Sequence, residues 1–321
     1  MSYTIPKEHQ PSQAQFEFDL ASKLRAIVSL KSTVPDDAFT AEILGTERAG
    51  HGAIIDDSGL IATIGYLVTE ADTIWIQTAN GQTLEGHLLG YDYESGFGLV
   101  QPLGKIDIAP LTVGNSANLA SGAKAILAAY GGTEYSICTQ VASKGEFVGY
   151  WEYIVEDAIF TSPPHPNWGG AALIGEDGLL YGIASLYTQE IPGQLAGSEG
   201  NMIVPIDLLK DIQGELTRFG QTTKPPRPWL GMFAAENDQR LVIAGVYENA
   251  PAADADLRAG DEIISVAEES PTTLGGLFRC IWSLGPAGTV IPLKISRDGQ
   301  LIQIHVRSSD RRSHWKRPEL H

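Results

Sequence analysis

From Ala26 to about Glu190 the chain runs as short β-rich stretches separated by closely spaced turn signals, with few helical patterns between them. That rhythm leaves an antiparallel barrel or sandwich, because only a closed or stacked sheet buries one face of so many short strands. Ala26-Ile27-Val28-Ser29-Leu30, Gly52-Ala53-Ile54-Ile55 and Leu60-Ile61-Ala62-Thr63 read as strands. Ile74-Trp75-Ile76-Gln77 and Gly86-His87-Leu88-Leu89 flank Asn80-Gly81, a strong hairpin signal. Ala171-Ala172-Leu173-Ile174 and Leu180-Tyr181-Gly182-Ile183-Ala184 flank a second turn, Glu176-Asp177-Gly178. A helix over Ile206–Ile212 then closes the region.

Lys224-Pro225-Pro226-Arg227-Pro228 follows, a stiff exposed linker and the clearest domain boundary. Beyond it, Leu274, Leu277, Phe278 and Ile281 form an i, i+3, i+4, i+7 stripe that predicts a helix. The expected organisation is an N-terminal segment 1–24, a β domain 25–220, a linker 221–228, a second domain 229–308 and a basic tail 309–321. Phe16 and Phe18 lie near a short helix running to Leu24.

A formal charge of -17 on 321 residues argues against nucleic acid as a partner, since phosphate recognition needs a basic face. The tail reverses that sign locally with Arg311, Arg312, Lys316 and Arg317, and is expected to be solvated. No apolar run approaches the length of a membrane span. The N-terminus carries no basic stretch followed by an apolar one, so the chain as written reads as cytoplasmic, and as periplasmic only if a leader was removed. Cys138 and Cys280 stand far apart with no metal-ligand spacing, which leaves two buried thiols and neither metal nor cofactor.

Two stretches carry a family resemblance. Gly50-His51-Gly52-Ala53-Ile54-Ile55-Asp56-Asp57-Ser58-Gly59-Leu60-Ile61-Ala62-Thr63 is similar to the run that precedes the catalytic histidine in HtrA/Deg serine proteases. In the same register, the histidine motif falls on Thr63-Ile64-Gly65-Tyr66-Leu67-Val68 and the aspartate motif on Asp92-Tyr93-Glu94-Ser95-Gly96-Phe97-Gly98-Leu99-Val100. The nucleophile loop falls on Pro166-Asn167-Trp168-Gly169-Gly170-Ala171-Ala172, and Met202-Ile203-Val204-Pro205-Ile206 resembles the closing strand. The second stretch, Trp229-Leu230-Gly231-Met232 with Asn249–Ile264, resembles a bacterial PDZ domain. The resemblance covers roughly residues 25–308. It implies a mainly β chain, a trypsin-like double antiparallel β-barrel followed by an α+β PDZ domain.

The same register removes the chemistry. A serine protease needs a nucleophile, a base, a carboxylate to orient the base, and backbone donors for the oxyanion. The base slot holds Tyr66, a phenol whose ordinary pKa near 10 makes it a poor acceptor. Gly96 stands in the carboxylate slot and Trp168 in the nucleophile slot. Pro166 takes the place of one oxyanion donor and has no N–H to offer.

Three readings follow. The first is a pseudoprotease, more non-enzyme than enzyme, acting as a scaffold or regulator. Its PDZ groove would capture protein or peptide C-termini, the amides of Leu230, Gly231 and Met232 beside Trp229 holding the carboxylate and Leu274, Leu277 and Phe278 lining the pocket. The second is an enzyme of different chemistry in a remodelled cleft containing His51, Tyr66, Ser162 and His165, with Asp92 and Glu94 near the lost carboxylate. The third is a residual serine-type endopeptidase. The resemblance also implies a homotrimer built through aromatic side chains before the barrel, where Phe16 and Phe18 stand.

Overall fold

The structure is a computed structural model that describes residues 4–237 and 240–316. It divides into two compact units. The first takes in the chain up to Glu146, Glu156–Thr222 and Lys316; the second takes in Phe147–Val155 and Thr223–Trp315.

Two closed six-stranded antiparallel barrels make up most of the first unit. Strands β1 (Ile27–Thr33), β2 (Glu47–Ile54), β3 (Ile61–Ile64), β4 (Thr73–Gln77), β5 (Thr83–Tyr91) and β6 (Phe97–Pro102) close in the order β1-β2-β3-β6-β5-β4. The second barrel uses β7 (Lys124–Ala128), β8 (Ser136–Gly149), β9 (Tyr153–Ser162), β10 (Ala172–Gly175), β11 (Leu180–Thr188) and β12 (Gly200–Pro205), in the order β10-β11-β12-β9-β8-β7. In β4 the side chains alternate, Ile74 and Ile76 inward and Trp75 and Gln77 outward, as the pleat requires. The Asn80-Gly81 signal is realised as the β4–β5 hairpin, closed at the Gln77–Thr83 pair.

The helix Ile206–Phe219 buries Ile206, Leu209, Ile212 and Leu216 and stops at Gly220, which takes the left-handed conformation that ends helices. Burying those four side chains contributes on the order of 1.5–3 kcal/mol each. The N-terminal segment is not a detached extension. Ile5 is buried in the second-barrel core, and Phe18 packs over the turn at Gly178, where even a β-carbon would lie 2.8 Å from its ring.

The second unit contains a five-stranded antiparallel sheet of β13 (Met232–Asn237), β14 (Arg240–Val246), β15 (Glu262–Val266), β16 (Val290–Arg297) and β17 (Gln300–Arg307), in chain order. Over it lies the helix Leu274–Ser283, whose first turn is capped by the Thr273 hydroxyl accepting from the Gly276 amide. Within the Ala259-Gly260-Asp261 signature, Asp261 is buried against Arg297 with an N–O distance of 2.7 Å.

Two boundaries differ from expectation. Residues 147–155, the tip of the β8–β9 hairpin, belong to the second unit, where Ile154 joins the core with Val148 at its edge. Within the described residues, the basic tail is folded from 309 to 316. Ser309 pairs with Trp229, Arg311 is buried with its guanidinium carbon 5.7 Å from the Trp229 ring, and Arg312 pairs with Asp310. Lys316 bonds Asp37 and Glu70 in the first unit, while Arg317 lies outside the described residues.

Candidate functional site

The loop matching the nucleophile motif closes directly onto β2. The His51 amide donates to the Gly169 carbonyl at 2.8 Å, and Gly170 adopts φ +82° beside it. A β-carbon at 170 would lie 1.9 Å from the His51 carbonyl oxygen, so only glycine fits. The base slot is fixed by a separate network. Tyr66 sits on the single turn Gly65–Leu67 that follows β3. Its carbonyl accepts from Arg48 at 2.9 Å, and Arg48 also binds the carbonyls of Gly45 and Thr69 and the Thr40 hydroxyl. The Thr40 hydroxyl donates in turn to Glu70, a buried carboxylate that also accepts the amides of Phe39, Thr40 and Lys316.

At the other end of the side chain, the Tyr66 hydroxyl donates to the Ser185 carbonyl at 2.8 Å. Burial pushes this phenol above its ordinary value, so it holds its proton throughout the range of protease chemistry. Gly96 is buried at φ +87°, inside a tight turn in which its amide donates to the Asp92 carbonyl and its own carbonyl accepts from Gly65. The Asp92 carboxylate, expected near the lost acid, accepts the Ser95 amide at 2.8 Å and holds the turn. Trp168 is half-buried, packs on the second-barrel core and lies 5.8 Å from the Tyr187 ring.

His51, Tyr66, Pro166 and Trp168 come together around a pocket of about 430 Å³, with Ser29 and Leu67 also in its wall. His51 is half-buried, and its Nδ1 accepts the Tyr130 amide at 3.3 Å. Burial, and secondarily the neighbouring His165, push this imidazole down to about 4, which leaves it neutral near pH 7.

The other two residues expected in a remodelled pocket are engaged elsewhere. His165 is wholly buried: Nδ1 accepts the Asn167 amide at 2.9 Å, and Nε2 lies 2.9 Å from the Tyr135 carbonyl, to which it donates in that tautomer. With both ring nitrogens used, His165 braces the loop from behind and has no free proton acceptor. Ser162 donates its hydroxyl to the Glu199 carbonyl at 3.1 Å and does not line the pocket. Among the described residues no group of His, Cys, Asp and Glu is arranged to hold a metal ion.

In the second unit the stretch expected to hold a carboxylate, Trp229-Leu230-Gly231-Met232, leads into β13. Trp229 and Leu230 are buried, and Gly231 takes φ +76° where a β-carbon would meet that of Ala250 at 2.4 Å. The three amides converge on one carboxylate, that of Glu152. Leu230 donates to its Oε2 at 3.0 Å, and Gly231 and Met232 donate to its Oε1 at 2.8 and 3.1 Å. Burial drives this carboxyl up to about 7 even though the three amides and Arg311 favour its charged form. Leu277 and Phe278 are wholly buried in the core cluster that includes Ile154, and only Leu274 lies at its edge. Leu277 and Phe278 thus share their core cluster with Ile154 of the hairpin tip.

Glu152, Arg48 and Glu70 were not legible as site residues. The aromatic run Tyr150-Trp151-Glu152-Tyr153 at a hairpin tip was the available signal for the first; nothing local marks the other two.

Residues 50–183 match the family described as a trypsin-like peptidase domain, and residues 228–307 match the PDZ domain. The chain is 27% identical over 277 residues to the serine endoprotease DegS of Haemophilus influenzae, covering 82% of this chain and 77% of that one. It is 26% identical over 281 residues to a probable periplasmic serine endoprotease DegP-like of Halomonas elongata, covering 81% of this chain and 56% of the relative. A DegP-like relative from Pseudomonas fulva is 27% identical over 270 residues, covering 79% and 54%, so the chain spans about half the length of these DegP-like proteins.

Its fold superposes on the HtrA-type protease AlgW solved with a decapeptide, with a TM-score of 0.53, 19% identity and coverage of 94% of this chain and 100% of that one. A variant of that protease solved with a tripeptide gives a TM-score of 0.54, 20% identity and coverage of 94% and 99%. The chain thus joins a trypsin-like peptidase domain to a PDZ domain, the HtrA-type arrangement, and is similar to DegS and DegP-like relatives along about four-fifths of its length.

Proposed function

We propose that this HtrA-type chain is a pseudoprotease that binds protein or peptide ends through its PDZ domain without cleaving them. One observation carries the reading: the base slot holds a phenol whose hydroxyl is already donating to the Ser185 carbonyl. A group that is protonated and aimed at a carbonyl cannot take a proton from a nucleophile. The side chain in the nucleophile slot, Trp168, has no nucleophilic atom, and the carboxylate slot is a glycine with positive φ. Removing members of such a triad lowers turnover by roughly a millionfold, and the activity left over relies on the oxyanion hole that Pro166 impairs.

The test is hydrolysis of unfolded casein by the purified chain, alongside labelling with a fluorophosphonate probe and a Trp168→Ser comparison. The expected result is neither cleavage nor labelling of the natural protein. Cleavage that survives repurification would sink the reading.

The pocket of about 430 Å³ beside neutral His51 supports a second reading, a site for a small ligand. His51→Ala should then abolish binding of whatever small molecule stabilises the natural chain in a thermal-shift screen; an unchanged shift would exclude it. Self-association through Phe16 and Phe18, half-buried with ring centroids 5.1 Å apart, belongs to the same proposal. It is checked by the mass of the chain in solution.

A further inference from the structure

A PDZ groove recognises a chain end by two features: amides that hold a carboxylate, and an edge strand to which the ligand adds. Both are engaged here by residues of the same chain. The amides of Leu230, Gly231 and Met232 hold the Glu152 carboxylate. Beside them, the Ala234 amide of the edge strand β13 donates to the Tyr150 carbonyl at 2.9 Å.

The spacing is that of an antiparallel ligand, although residues 150–152 form the turn of the hairpin and are joined to β13 by the Ala234–Tyr150 bond. Tyr150 is two residues before Glu152, and Ala234 two residues past Met232, so the carboxylate and the backbone bond fall together. Side chains follow. Tyr150 lies 5.9 Å from Phe233, Trp151 stacks on Tyr153 at 5.7 Å, and Ile154 enters the core formed with Leu277 and Phe278. Glu152 itself adopts φ +61°, a left-handed backbone uncommon for a residue that is not glycine, and is 5% exposed. Its charge faces Arg311, which also reaches the Tyr247 hydroxyl at 3.5 Å.

We propose that Glu152 is a built-in ligand of the PDZ domain: the hairpin tip 147–155 occupies the groove with a side-chain carboxylate in place of a chain end, and an outside peptide binds only by displacing it. This rests on the reading above that the groove takes peptides, and adds the regulation of that site. An intramolecular ligand acts at an effective concentration in the millimolar range for short connections, so a weak outside peptide is excluded and a strong one is admitted. Binding of a peptide then releases the tip of a hairpin whose strands, β8 and β9, are shared with the second barrel.

The experiment uses the full chain and a dye-labelled peptide copying residues 147–152, amidated at its end so that its glutamate carries the carboxylate in question. Fluorescence anisotropy is read for the natural chain, Glu152→Ala and Glu152→Gln, with far- and near-ultraviolet circular dichroism to establish folding. Tighter binding to folded Glu152→Ala, by at least about tenfold, is expected, with Glu152→Gln between it and the natural chain, and the same peptide with alanine in place of glutamate should bind at least tenfold more weakly. Hydrogen exchange of the natural chain gives a second readout that needs no variant: saturating peptide should leave the amides of Leu230, Gly231 and Met232 protected and strip protection from the tip.

Equal binding to the natural chain and the variants would overturn the built-in ligand while leaving peptide recognition intact. No binding to any folded form, with unchanged exchange, would overturn both. Should both variants fail to fold, exchange that stays unchanged while the peptide binds the natural chain would overturn it.

Discussion

The Tyr66 hydroxyl lies 2.8 Å from the Ser185 carbonyl, joining the turn after β3 to strand β11 through a side chain that stands where a base would be. A histidine placed at 66 would have to give up that bond, and an aspartate at 96 would have to adopt φ +87° or rebuild the turn. The combined variant Tyr66→His, Gly96→Asp, Trp168→Ser should therefore remain barely active on casein. Adding Pro166→Gly, which returns an oxyanion donor, should raise its turnover by on the order of 10²-fold. Active-site titration with a fluorophosphonate separates the two steps. Full activity in the first variant would mean that the slots are less rebuilt than the geometry requires.

Gly170 tests how tightly the old nucleophile loop is pressed against β2. Its φ of +82° disfavours any side chain, and a β-carbon would sit 1.9 Å from the carbonyl oxygen of His51, whose amide is itself bonded to Gly169. Because the obstacle is backbone on both sides, Gly170→Ala should destabilise the chain by about 3 kcal/mol or more. By contrast, Gly81 at a hairpin tip also has positive φ but nothing within 4 Å, and Gly81→Ala should be milder, about 1 kcal/mol. Urea denaturation of both variants decides.

Much of the fold was legible because its strands announce themselves by pattern. The alternation in Ile74-Trp75-Ile76-Gln77 and the Asn80-Gly81 turn needed no tertiary context. The stripe Leu274, Leu277, Phe278 gave the helix, but its role was misread, since periodicity identifies a buried face without saying what covers it. The assignment of Tyr66, Gly96 and Trp168 to the triad slots rests on register alone. What stayed hidden is contact at long range. The partners of His165 on its two nitrogens, the Asn167 amide and the Tyr135 carbonyl, have no local signature, and Glu152 is separated by 78 to 80 positions from the amides that hold it.

His51 ties stability to acid. Its imidazole is pushed from 6.5 down to about 4 by burial and secondarily by His165, while Tyr66 on the same pocket stays neutral. The unfolded chain therefore takes up the proton first. Stability from this site is complete above pH 6.5 and is lost as pH falls from there to about 4, amounting to roughly 1–3 kcal/mol once partial exposure is allowed for. His51→Asn, which has no proton to take up, should flatten that part of the profile. Chemical denaturation at pH 7.5, 6, 5 and 4 provides the comparison, and parallel curves for the two proteins would contradict it.

Glu152 titrates in the opposite sense. Its carboxyl is raised from 4.5 to about 7 in the docked hairpin, the desolvation outweighing three amide bonds and the charge of Arg311. The docked form thus binds a proton more tightly than the released one, in which the group returns to its ordinary value. Docking is strongest below pH 4.5 and weakens as pH rises through about 7, with no further change from this group above that. Burial holds the nearby Tyr247 phenol above its ordinary value, so it does not reverse the sign. Protection factors of the Leu230, Gly231 and Met232 amides, corrected for intrinsic exchange, should fall by roughly tenfold or more between pH 5 and pH 8. In Glu152→Gln they should not change with pH. A natural chain whose three amides are equally protected at both pH values would mean that the hairpin tip stays seated whatever the charge on Glu152, and that proton uptake plays no part in opening the groove.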